Sequence, residues 1–177
     1  GKIGEICGQL KGWVYAQWIF KEALENTEFN NAIQPRIDAL INMAIGQANA
    51  QEKQAAKETL LTARTLALTT SELYDKICQL LRIAKAQTKA NEHEEAVVTF
   101  EMAIKLAQEN KNTEQIRTIA VQLAEAGFNQ RAITVSLEIS TGCKEWPYVA
   151  SVFIQRGDLV SFKQILTQGS YDAVTVG

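Results

Sequence analysis

The sequence is poor in the residues on which disulfide frameworks, metal sites and catalytic centres depend. Its 177 residues include three cysteines, one histidine and two prolines. Cys7, Cys78 and Cys143 are odd in number and widely spaced, and no two of them form a CxxC pair. We therefore expect neither a disulfide framework nor a zinc site, and a reducing cytoplasm is the predicted location.

A dominant charge and a long apolar run are also missing. The 18 Lys and Arg residues nearly balance the 20 Asp and Glu residues, and the net charge is -2. So small a charge provides no chain-wide field for attracting nucleic acid or an anionic membrane. No apolar run approaches the ~20 residues that a membrane-spanning helix requires. We therefore expect neither nucleic acid nor membrane among the partners.

The sequence does contain an internal repeat. When residues 40–67 are placed over residues 80–107, ten of the 28 pairs are identical, where roughly two are expected by chance. Most of the identical residues are small or apolar, and they recur three, four and seven positions apart, as on one face of a helix. Two such faces meet near Gln51 and Asn91. Each repeat is therefore predicted to be a hairpin of two helices. The identical pairs are Leu40/Leu80, Ala44/Ala84, Gln47/Gln87, Ala50/Ala90, Glu52/Glu92, Ala56/Ala96, Thr59/Thr99, Ala63/Ala103, Leu66/Leu106 and Ala67/Ala107.

Weaker matches extend this pattern toward both ends of the chain. We predict an all-α fold without a sheet, in which about five antiparallel hairpins form one repeat domain over residues 1–168. The hairpins are expected approximately at residues 2–28, 35–68, 71–109, 113–141 and 146–167. Residues 169–177 carry no helical pattern and are predicted to be a C-terminal tail.

Signals for helix ends agree with this division. Asn91 and Asn112 each precede an acid or amide by three residues, which predicts N-caps of two helices. Gly127 and Gly157 lie where the first helix of a hairpin must reverse into the second, a position that favours a left-handed backbone. The only two prolines fall at the start of predicted hairpins, where a missing N–H is tolerated.

The middle hairpin places its packing residues at Leu80, Ile83, Ala84, Gln87, Ala96, Phe100 and Ala103. In this spacing it resembles a tetratricopeptide repeat. Residues 40 positions earlier, including Met43, Ala56 and Leu60, repeat the set. The resemblance implies a right-handed superhelical array of hairpins, in which alanines allow two backbones to approach and an aromatic residue fills the gap between hairpins. HEAT-type and other α–α arrays remain alternatives.

Residues that could support catalysis are isolated from one another in the sequence. His93, the single histidine, lies among glutamates just after a predicted helix start, where an exposed structural role is expected. Cys143 has Lys144 beside it, but no second histidine exists to serve as its base. We therefore predict no catalytic residue, no metal ligand and no cofactor, and thus no enzyme.

The segment KGWVYAQWIF is unusually aromatic. Trp13, Tyr15, Trp18 and Phe20 cannot all share one buried helical stripe, because residues two apart point to different faces. They predict either self-association through the N-terminal hairpin or packing against an upstream repeat. Plain core packing is the alternative.

The first helix of each hairpin lines the concave face in arrays of this kind, so its residues that do not pack are candidates for partner binding. Arg82, Lys85 and Lys89 lie on one helical face and form a basic strip, which suits an acidic peptide or a carboxylate. The alternative is that these three residues are only a solvated face. We expect a scaffold that binds a peptide or partner protein. The alternatives are a regulatory or substrate-recruiting domain of a larger enzyme and, less favoured, an RNA-binding repeat. The candidates are Asn42, Ile45 and Asn49, then Arg82, Lys85 and Lys89, and then Arg117, Val121 and Glu125.

Overall fold

A computed structural model describes residues 33–138 and 146–175, which form eight α-helices and no strand. The all-α prediction is confirmed for these residues, and no helix among them is long and apolar enough to cross a membrane. The predicted hairpin at residues 2–28 and the aromatic residues Trp13, Tyr15 and Trp18 lie outside them. The helices are α1 (Ile33–Asn49), α2 (Lys53–Leu68), α3 (Leu73–Lys89), α4 (His93–Glu109), α5 (Thr113–Glu125), α6 (Asn129–Glu138), α7 (Trp146–Gln155) and α8 (Leu159–Thr175).

The helices divide between two compact units, residues 1–99 and 100–177, and the boundary falls within α4. In the first unit α1 packs against α2, and both of them pack against α3. In the second unit α5 packs against α6, α7 packs against α8, and α7 also contacts α5 and α6. Within each unit, helices that are close in the chain pack on one another, which is consistent with a helical repeat.

Five of the turns between these helices close in the same way. In each turn one residue has a left-handed backbone, with φ between 53° and 91°, and its N–H bonds to the preceding helix. The next residue also donates to that helix, as Glu92 does to the carbonyl oxygen of Gln87 at 2.8 Å. This pair of bonds is the Schellman closure, which satisfies the free carbonyls at a helix end. The left-handed residues are Gln51, Asn91, Lys111, Gly127 and Gly157.

The turns confirm three of the four predicted helix-end residues and correct the fourth. Gly127 and Gly157 adopt the expected left-handed backbone, and Asn112 Oδ1 accepts the N-capping bond from the Gln115 N–H at 3.0 Å. Asn91 was expected to cap α4, but it has φ 61 and closes α3, while α4 begins at His93. Asparagine tolerates the left-handed backbone better than most residues, and a residue in that conformation ends a helix.

The C-terminus differs from the predicted tail at residues 169–177. Helix α8 continues through Thr175, so the last helix is longer than its apolar pattern indicates. Both prolines lie in the first turn of a helix, Pro35 in α1 and Pro147 in α7, as predicted. A first-turn N–H has no partner within its own helix, so proline costs no hydrogen bond there.

The residues that carry the tetratricopeptide resemblance form the core. None of the seven, from Leu80 to Ala103, is more than 1% exposed. Phe100 is fully buried, and its ring meets that of Phe128 edge to face, with 5.8 Å between the ring centroids. This geometry is favourable for two aromatic rings. Phe100 on α4 therefore packs against the turn that joins α5 and α6.

Candidate partner-binding face

Helices α1 and α3, the first helices of two successive hairpins, lie side by side in the first unit. Two polar contacts join them. Gln79 Nε2 donates to Gln34 Oε1 at 2.6 Å, and Arg82 Nη1 donates to Asp38 Oδ1 at 2.5 Å. The second contact lies closer to the C-terminus than the first on both helices, so the two helices run parallel. The residues in contact are 45 and 44 positions apart, so each partner on α3 lies four or five residues beyond the equivalent position, which is 40 residues away.

The candidate residues of the first two hairpins occupy these equivalent positions. On α1, Asn42 and Asn49 are exposed and Ile45 is half-buried. Forty positions later on α3, Arg82 and Lys89 are exposed and Lys85 is half-buried. Each set follows a spacing of three and four residues, which keeps its members on one side of the helix. We call these six residues the first-helix face.

Arg82 does not act as an independent cation on this face. Its partner Asp38 also accepts a hydrogen bond from Gln34 Nε2 at 3.0 Å, so two donors converge on one carboxylate oxygen. The charge of Asp38 thus offsets the charge of Arg82, which is one of the three candidate cations on α3. Sequence reasoning missed Asp38 because its partner lies on another helix, 44 positions away.

The candidates of the third hairpin belong to the second unit. Arg117 on α5 places its guanidinium over the ring of Tyr148 on α7, 4.8 Å from the ring centroid, and 3.8 Å from the carboxylate of Glu114. A cation over an aromatic face is an attractive arrangement. Arg117 thus helps to join α5 and α7. Val121 is half-buried and Glu125 is exposed on the same helix.

Ion pairs also join second helices to one another. In the first unit Glu95 on α4 contacts Lys57 at 3.3 Å and Arg64 at 3.0 Å, both on α2. Burial raises the pKa of Glu95, but the hydrogen bonds and charges of these cations outweigh burial and hold its pKa below the ordinary value. Lys57 and Arg64 both contact the Glu95 carboxylate, so this cluster connects α2 to α4.

An equivalent link occurs in the second unit. Arg131 on α6 forms two hydrogen bonds to the Glu101 carboxylate on α4, at 2.5 and 2.7 Å. These bonds raise the pKa of Arg131, against the opposing effect of burial. A two-point contact between arginine and a carboxylate fixes geometry as well as charge. Paired charges thus link α2 to α4 in the first unit and α4 to α6 in the second.

Catalytic and metal-binding groups do not converge in residues 33–138 and 146–175. No group of three His, Cys, Asp or Glu side chains among them could hold a metal ion. His93 is exposed at the start of α4, and Cys78 is a half-buried free thiol. Cys143 lies outside these ranges. A shallow concavity with a largely apolar rim lies along α8 and is lined by Leu159, Val160, Lys163, Gln164 and Thr167.

Comparisons with protein-family models, with curated proteins and with solved structures return no match to this chain. The resemblance to tetratricopeptide repeats thus stays a prediction that rests on residue spacing. The helices and contacts of the molecule itself are the basis for assigning a function.

Proposed function

We propose that the chain is a non-enzymatic interaction module, in which tetratricopeptide-like hairpins stack into a superhelical array and bind a partner on the first-helix face. The parallel packing of α1 and α3 is the observation that carries this proposal. It aligns exposed side chains of two repeats into neighbouring rows, a layout suited to an extended peptide.

The chemistry of the two rows favours an acidic peptide. The α1 row exposes the side-chain amides of Asn42 and Asn49, which can both donate hydrogen bonds to a peptide main chain and accept them from it. The α3 row carries the cations Arg82, Lys85 and Lys89, and Asp38 opposes the charge of Arg82. Charge complementarity therefore favours carboxylate side chains at the α3 row. Hydrogen bonding favours main-chain amides at the α1 row.

Fluorescence anisotropy with a defined probe tests this proposal. The probe is a fluorescein-labelled peptide of alternating glutamate and glycine, and a peptide with glutamine in place of glutamate is the neutral control. The wild-type chain should bind the acidic probe more tightly than the neutral one, and added salt should weaken the difference because exposed charges are screened. Lys85→Glu with Lys89→Glu should abolish the preference.

A matched charge reversal separates a local site from net charge. Lys53→Glu with Lys105→Glu changes two exposed lysines on the second helices α2 and α4. This double variant has the same net charge as the Lys85→Glu/Lys89→Glu variant, but it should keep the preference for the acidic probe. Equal losses from both pairs would contradict a site on the first-helix face. Tighter binding of labelled oligouridine than of the acidic peptide would favour RNA as the guest instead.

A further inference from the structure

We propose that Asp38 determines specificity on the first-helix face by occupying Arg82 and directing a peptide carboxylate to Lys89. This inference rests on the proposed function, because it concerns how an acidic peptide is positioned there. The Asp38 carboxylate and the Arg82 guanidinium are in direct contact at 2.5 Å, yet their side chains are 41% and 46% exposed. A guest can therefore reach the pair from solvent.

Asp38 competes with a guest for the same donor. A carboxylate that approaches Arg82 meets the negative charge of Asp38 at short range, and it must share or replace an existing hydrogen bond. Gln34 donates to the same Asp38 oxygen and helps to hold the carboxylate in place. The attraction of Arg82 for an outside anion is thus largely offset by a repulsion from the adjacent residue.

Lys89 offers a different environment on the same helix. It is exposed and lies two helical turns beyond Arg82, a distance of about 10 Å along the axis. Asp38 lies at the Arg82 end of the face, so its repulsion of a carboxylate at Lys89 is weaker and more strongly screened. The face therefore has a neutralised end and a cationic end, and this asymmetry fixes where the acidic residue of a peptide docks.

A double-mutant cycle with the glutamate–glycine probe measures this competition. In the wild-type background Lys89→Gln should weaken binding more than Arg82→Gln does. Asp38→Asn should strengthen binding by about threefold to tenfold, because the repulsion is removed and Arg82 becomes available. Adding Arg82→Gln to Asp38→Asn should eliminate most of that gain. Circular dichroism and thermal unfolding of each variant check that the fold is retained.

Asp75→Asn is the matched control, because it removes an equal charge from an exposed position on α3 at the helix start. It should strengthen binding less than Asp38→Asn does. An Asp38→Asn variant that binds no more tightly than wild type, or whose gain persists without Arg82, would overturn the inference and leave the proposed function intact. Failure of every variant to prefer the acidic probe over the neutral one would overturn both.

Discussion

The hydroxyl of Thr99 donates a 2.7 Å hydrogen bond to Oε1 of Gln87 in the interior of the α3–α4 hairpin. Thr59 and Gln47 form the same bond at 2.8 Å, one repeat of 40 residues earlier, in the α1–α2 hairpin. All four residues belong to the identical pairs of the sequence repeat. A buried amide needs a partner, so the repeat preserves a polar contact as well as apolar packing.

Replacing Thr99 with valine should destabilise the first unit by about 1–3 kcal/mol, because it leaves the buried Oε1 of Gln87 without a partner. Gln87 is only 1% exposed, so water cannot readily replace the lost hydroxyl. Urea unfolding followed by circular dichroism measures the change. Thr118→Val, at an exposed threonine on α5, should change stability by less than about 0.5 kcal/mol. Equal effects of the two substitutions would contradict the importance of the buried bond.

Phe100→Ala should cost roughly 3–5 kcal/mol, because it removes a fully buried ring and leaves a cavity beside Phe128. Val98→Ala, two residues earlier on the same helix, truncates a side chain that is 44% exposed and should have a much smaller effect. Unfolding midpoints in urea provide the comparison. A loss below about 1 kcal/mol for Phe100→Ala would place that ring outside the core.

Gly127→Ala should destabilise the α5–α6 turn by roughly 1–2 kcal/mol, since a Cβ atom disfavours the left-handed backbone that this residue adopts at φ 91. Space is not the obstacle, because the nearest atom to an added Cβ is an Arg156 nitrogen at 3.9 Å. The reciprocal change, Asn91→Gly, relieves the same constraint at φ 61 and should be neutral or stabilising. Thermal unfolding of both variants checks the opposite signs.

Stability should depend on pH through Glu95. The folded chain lowers the pKa of this carboxylate below its ordinary value of 4.5, so its ion pairs stabilise the protein fully above that pH. The stabilisation is lost as the pH falls through the folded-state pKa. Glu95→Gln should therefore reduce stability at pH 7 and have progressively less effect in acid. A pH-independent effect of Glu95→Gln would refute the ion-pair account.

The hairpins could be predicted from sequence because their signals are local. Helix periodicity, the glycines at Gly127 and Gly157, and the buried position of Phe100 all depend on residues close together in the chain. The prediction that Asn91 caps α4 was wrong, because asparagine suits both a helix start and a left-handed turn. The Asp38–Arg82 contact could not be predicted, since it depends on the lateral register between two helices, which no local pattern specifies.

Chemical-shift mapping of the first-helix face is the most direct test of the central claim. The isotope-labelled chain is titrated with the glutamate–glycine probe, and amide shifts are followed by nuclear magnetic resonance. We expect the largest changes on α1 and α3, around Asn42, Asn49 and Lys89, with small changes on the second helices α2 and α6. Changes concentrated along the apolar rim of α8, or spread evenly over the surface, would contradict a partner-binding site formed by the first helices.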